Sequence, residues 1–366
     1  MSGPVGAGGK LVGSWLSMST TVRSYDVHGM RLGVQAQSAL LADRIDVLLN
    51  SFAVLQSPCA ESQHPSPRAG AFSLRMTYEP TPTDQPPADL DLLWAGRLPG
   101  GQECVFYVRG PGRRIDLPGL ARLRMDLQTR QAQIAVKPGC EASIAFGCVV
   151  PLLSTFLGLV GQHLIHAASL ALIGGPDPAG VLLSGPSGVG KTTTALALSR
   201  GQLRLLADDA SFVGQVPSPA GLPSASARAP LGVWGLPRPC KVHQRTLELL
   251  PWLQKLPRQP AGGEEVLIDF ARIAGPAAAS VARPSVILFL DRRNDRGHHL
   301  TPVDKVTALA RLTRENVRAL DSRADGPAGR AFGVLAELVQ QCQTHLLSVG
   351  PNLESLAGEV AGLLRG

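Results

Sequence analysis

The sequence predicts an α/β protein in two parts: a P-loop domain in the second half, and a smaller α/β or α+β domain at the N-terminus. Three observations predict it. Gly185-Pro186-Ser187-Gly188-Val189-Gly190-Lys191-Thr192 is a complete G-x-x-x-x-G-K-T run, preceded by apolar Val181-Leu182-Leu183 and followed by a helix-forming run over residues 193–198. From residue 149 onward, apolar strand-type and helix-type segments alternate. The chain has 366 residues, 44% apolar and 17% charged, which suits a globular protein with room for two domains.

Taken in order, residues 1–24 read as a Gly/Ser-rich tail, within which Met18 is an alternative start to Met1. The accessory domain then covers 25–145, with strand-type segments at 30–34, 71–76, 103–108 and 133–136. Leu40, Leu41, Ile45, Leu48 and Leu49 recur at helical spacing and predict a helix over 39–52. Residues 57–70 and 81–88 are rich in proline and polar residues and read as loops. No motif in this half carries chemistry.

The catalytic-type domain covers 146–366. Residues 149–161 predict a buried helix, 163–173 a buried strand, 180–183 the strand that feeds the loop, and 191–200 a helix closed by Gly201. A short strand at 203–207 delivers Asp208-Asp209, and Pro237-Arg238-Pro239 makes a stiff turn. Further on, 285–290 and 344–349 read as strands, and 302–313, 330–342 and 353–364 as helices. Residues 142–176 lack Asp, Glu, Lys and Arg, but Pro151, Gln162, His163 and His166 interrupt the apolar run before the roughly 20 residues that a membrane span needs. A buried helix and strand are therefore expected there, with no membrane partner.

The net charge of +7 comes from arginine, with only six lysines, and aromatic residues make up 4%. No basic run is interleaved with aromatics, which argues against a nucleic-acid partner. The six cysteines show no C-x-x-C pair or zinc spacing, and read as reduced cytoplasmic thiols.

The loop carries the chemistry. Its glycines let consecutive amides point into one concavity, and the following helix N-terminus adds partial positive charge. The triphosphate of ATP is therefore expected on Gly185, Pro186, Ser187, Gly188, Val189, Gly190, Lys191, Thr192 and Thr193, with Lys191 on the phosphates and the Thr192 hydroxyl on Mg²⁺. Asp208 and Asp209, one helix and one strand later, are placed to ligate Mg²⁺ or to accept a proton; a solvated acidic turn is the alternative. Alternation along the strand gives the two side chains different directions and hence different tasks. His166, taken alone, reads as a structural histidine, and His163 as a packing residue.

Leu164-Ile165-His166-Ala167, the loop with its strand, and Leu205-Leu206-Ala207-Asp208-Asp209 together resemble the catalytic domain of HPr kinase/phosphorylase. That domain belongs to the phosphoenolpyruvate-carboxykinase-type P-loop kinases, which include HPr-kinase-like serine kinases. The resemblance is confined to about residues 160–213 and fades to an order of elements beyond. It implies a PEP-carboxykinase-like P-loop fold and an ATP- and Mg²⁺-dependent kinase. Asp209 would be the general base, Asp208 a support for metal or for geometry, and His166 a neighbour of the transferring phosphoryl group. It also implies an arginine that stabilises developing charge, matched by Arg283 or, alternatively, Arg238. The acceptor would be a serine hydroxyl of a protein or peptide, and a homo-oligomer is a further implication. The family's glutamate stretch aligns with Gly232-Val233-Trp234-Gly235-Leu236, which has no carboxylate, so phosphorolysis and HPr as substrate are not expected. The alternatives are a small-molecule or carboxykinase-like enzyme, and a regulatory module that binds nucleotide without transfer.

Overall fold

The computed structural model describes residues 20–54, 71–80, 85–98, 101–174, 178–215, 230–275, 281–291, 296–316 and 327–365. The chain is mixed α/β, built on an eight-stranded N-terminal sheet, a second large mixed sheet and a small three-stranded sheet.

The N-terminal sheet contains β1 (Thr21–Val27), β2 (Met30–Ala36), β3 (Phe72–Tyr78), β4 (Asp91–Arg97), β5 (Glu103–Arg109), β6 (Gly112–Leu117), β7 (Ala121–Asp126) and β8 (Gln131–Val136). Its spatial order is β1-β2-β3-β8-β7-β6-β5-β4. Helix α1 (Ala39–Leu49) makes the crossover between parallel β2 and β3, with the Ser38 hydroxyl accepting from the Leu41 amide at its N-cap. β2 shows why the sheet forms: Met30, Leu32, Val34 and Ala36 are buried while Arg31, Gly33 and Gln35 face out. The expected strands and helix of this half are present, and β1, β4, β6 and β7 are additional to them. β1 also takes residues 21–24 out of the supposed tail, because Tyr25 and Val27 on the same strand anchor it in the core. Met1, Met18, Cys59 and the loop at 57–70 lie outside the described residues.

A helical stretch over Glu141–Leu159 is long and apolar enough to cross a membrane. Its last part, α2 (Val150–Leu159), buries Leu152, Leu153, Phe156 and Leu157 in the same core as the N-terminal sheet, so it packs as a core helix. That core continues into Phe212, Trp234 and Leu236 of the second half. Trp234 stacks on Phe212 at 4.5 Å, and its indole N–H donates to Gln162, whose amide donates in turn to the His28 carbonyl.

The second sheet contains β9 (Gln162–Leu172), β10 (Ala179–Ser184), β11 (Leu203–Ala207), β12 (Ala210–Gln215), β13 (Leu231–Gly235), β17 (Arg283–Leu290), β18 (His299–Pro302) and β19 (Gln343–Ser348). Its order is β13-β12-β9-β10-β17-β19-β18, with β11 paired to β9. β10, β17 and β19 run parallel, as central strands buried on both faces commonly do. On one face lie α3 (Lys191–Leu198), α8 (Leu353–Leu363) and the sheet of β14 (Cys240–His243), β15 (Arg258–Gly262) and β16 (Glu265–Ile268), with α4 (Gln244–Leu249) and α5 (Phe270–Ala274). On the other lie α6 (Lys305–Asn316) and α7 (Pro327–Gln341). Several helix boundaries differ from expectation, and two have a clear local cause. α3 stops at Leu198 with Ser199 as its cap, before Gly201. α6 starts at Lys305, because Pro302 belongs to β18 and pairs with His345.

Candidate active site

The loop is where the strand-to-helix sequence places it. β10 ends at Ser184, residues 185–190 turn, and α3 opens at Lys191. Gly188 and Gly190 have φ of 81° and 105°, left-handed conformations that a side chain would strain, and a Cβ on either would meet nothing. The turn thus depends on backbone freedom, and the space beside these two glycines is open. The Thr194 amide closes the first helical hydrogen bond to Gly190, so the earlier amides of α3 have no partner within the helix.

Lys191 is buried, and its Nζ donates to the carbonyls of Gly185 at 2.8 Å and Pro186 at 3.2 Å. The same Nζ lies 2.9 Å from His166 Nε2. Across the ring, His166 Nδ1 is 3.1 Å from Asp209 Oδ1. Arg238 Nη2 donates to the other carboxylate oxygen, Oδ2, at 3.0 Å. A lysine ammonium can only donate, so Nε2 must accept and the proton sits on Nδ1, pointing at Asp209. Burial first, then the neighbouring Lys191 charge, holds the His166 imidazole below its ordinary pKa, with Asp209 opposing. Burial likewise lowers Lys191, against the pull of Asp209 and Glu315. The arrangement is a directed chain, Lys191 to His166 to Asp209, with Arg238 closing it from the far side.

Asp208 has a different environment. It is 4% exposed, and Arg238 Nε stands 3.5 Å from its Oδ1. That oxygen has no hydrogen-bond donor among the described residues. Burial pushes the Asp208 carboxyl above the ordinary range, with Arg238 opposing. Burial also works against the charge on Arg238, but the two carboxylates outweigh it and hold the guanidinium protonated. One arginine therefore serves two carboxylates, and a buried carboxyl oxygen is left without a hydrogen-bond donor among the described residues. Asp208 Oδ1 and the Thr192 hydroxyl, which makes no hydrogen bond among the described residues, are oxygen donors of the hard type that Mg²⁺ takes. Their donor chemistry suits Mg²⁺, while no group of three or more His, Cys, Asp or Glu side chains gathers as a metal site among the described residues.

Other expected site residues separate from these. The Thr193 hydroxyl lies 2.8 Å from that of Thr246 on α4, so it is engaged in packing α3. Arg283 lies apart from the loop: it pairs with Ala179 at the start of β10, whereas the loop leaves after Ser184 at the other end. At about 3.3 Å per residue the two ends are roughly 17 Å apart. Arg238, the alternative, occupies the place at the carboxylates. His163 packs as expected, with burial lowering its pKa to about 4. The stretch 232–236 is buried β13 and β13–β14 connection, where a Cβ on Gly235 would overlap the Leu206 carbonyl and Ala207. Residues 216–228 lie outside the described residues.

Sequence reasoning missed the end of α6. The Asn316 Oδ1 accepts from the His166 amide at 2.5 Å. Glu315, with Arg311 and Arg314, lines a small cavity beside Gly185 and Pro186. No local motif marks these residues, because a contact spanning 150 positions leaves no spacing to read. No protein-family model matches the chain, and no curated protein matches it.

Proposed function

We propose that the protein is an ATP- and Mg²⁺-dependent kinase of PEP-carboxykinase-like P-loop fold. It transfers the γ-phosphate to an alcohol, the serine hydroxyl of a protein or peptide, in the cytoplasm. The observation that carries this reading is the hydrogen-bonded chain from Lys191 of the phosphate loop through His166 to Asp209. Nucleotide binding alone needs no carboxylate held by a histidine and an arginine beside the loop lysine. In this reading the loop amides and Lys191 bind the triphosphate and orient it. Asp209 accepts the proton of the acceptor hydroxyl on a carboxylate lone pair not used by His166 or Arg238. His166 and Arg238 fix that carboxylate in place. Arg238 also keeps positive charge next to the site. Thr192 and Asp208 would hold Mg²⁺, which supplies neutralisation of phosphate charge when bound.

The test is phosphoryl transfer followed by mass spectrometry, with MgATP and candidate serine peptides and proteins. Transfer by the wild type, lost by about 10³-fold in Asp209→Asn while ATP still binds, is the expected outcome. A fully active Asp209→Asn would put the base elsewhere.

A further inference from the structure

The backbone that carries His166 is held from outside its own sheet. The β9–β10 ladder ends at the pair Ala167 with Ser184, because β10 then turns off into the phosphate loop. On its other edge β9 still pairs with β12, with Ala210 opposite His166. The gap left by β10 falls at the histidine of the Lys191–His166–Asp209 chain. Asn316, in the last turn of α6, fills it by accepting the His166 N–H at 2.5 Å. The opposite end of the same amide donates to the Leu312 carbonyl at 2.8 Å. Only one orientation of the amide satisfies both bonds, so the asparagine is fixed to its helix as well as to the strand.

The geometry points to Asn316 as a positioning residue for His166: it replaces the missing strand neighbour and sets the ring at the distances that join Lys191 to Asp209. The neighbouring Glu315 lines the cavity beside Gly185 and Pro186 and raises the proton affinity of both Lys191 and His166. The end of α6 thus touches the site twice, through one backbone bond and one charge. Loss of the backbone bond would let β9 relax at residue 166, and displacements of about 1 Å in such a chain are enough to change a rate by about 100-fold.

The experiment uses the full chain labelled with ¹⁵N-histidine, with His166 assigned by its absence in His166→Gln. The wild type is expected to show His166 protonated on Nδ1. In Asn316→Ala that signal is expected to be lost or shared between both nitrogens. Asn316→Asp, which keeps an acceptor for the His166 amide, is expected to retain it. An Asn316→Ala spectrum identical to the wild type overturns the proposal, as does equal loss in Ala and Asp variants, which would mark a general packing role. Only the kinetic arm rests on the kinase reading. There Asn316→Ala is expected to lower kcat by roughly 10- to 100-fold with the KM for ATP within about twofold, and Asn316→Asp to recover most of it. A wild type that transfers no phosphate removes the kinase reading, while the spectra still decide the role of Asn316.

Discussion

Two buried arginine–aspartate clusters in this molecule are built from the same residue types and are neutralised in opposite ways. In the N-terminal sheet, Asp116 receives Arg114 in a two-pronged bond at 2.7 Å, with Arg122 3.4 Å away and also 3.7 Å from Glu79. Two guanidiniums converge on one buried carboxylate. Beside the phosphate loop, one guanidinium, Arg238, is divided between Asp208 and Asp209, and Asp208 Oδ1 has no donor among the described residues. The first cluster is closed by the protein's own charges. The second sets two carboxylates against one guanidinium, which accords with the Mg²⁺ proposed there.

The sharpest way to break the contrast is to remove the acid from each cluster. Asp116→Ala takes a buried carboxylate away from two buried guanidiniums and is expected to cost about 3–5 kcal/mol, read from denaturant melts, with nucleotide affinity of the folded protein unchanged. If nucleotide binding falls in step with stability, the two clusters are not independent.

Acid provides a middle-sized test. Burial lowers both His28 and His163 to about 4 from an ordinary 6.5. Between those values the unfolded chain binds protons that the folded chain refuses, so stability is full above pH 6.5 and falls toward pH 4. By pH 5 the two are expected to cost roughly 1–2 kcal/mol each, and melts at about pH 7.5 and pH 5 measure it. Both histidines lie outside the two arginine–aspartate clusters, so Asp208→Asn should leave this loss unchanged.

Asp208→Asn itself should have the smallest effect on the protein without ligand, within about 1 kcal/mol. It replaces an under-neutralised buried carboxylate by a neutral isostere. The added stability that Mg²⁺ and ATP confer on the wild type should be reduced in the same variant, by thermal shift. A large loss without ligand would mean that Asp208 is a structural partner of Arg238, like Asp116 of Arg114.

How much of this is legible in the sequence depends on sequence distance. The loop is readable because strand, glycines, lysine and helix are contiguous, and Asp208-Asp209 because one helix and one strand return the chain to the loop's side. Arg238 can be named only as an alternative: the Pro-Arg-Pro turn gives stiffness, but its meeting with the two aspartates is tertiary. The place of Arg283 is not legible, because the end of the sheet that it occupies depends on register. Asn316 is invisible, being tied to His166 by a backbone bond that any residue type at 166 except proline would offer. In the N-terminal half the hairpin strands β6 and β7 carry Arg113, Arg114, Arg122 and Arg124, which blur the apolar alternation.

The central claim is that the loop and the chain beginning at Lys191 form a nucleotide site. Calorimetric titration of MgATP into the wild type and Lys191→Ala tests it most directly. The account predicts one-to-one binding by the wild type and at least about 100-fold weaker binding, or none, by the variant, as expected when a buried charge-assisted phosphate contact is lost. Equal affinity in the two proteins would contradict it.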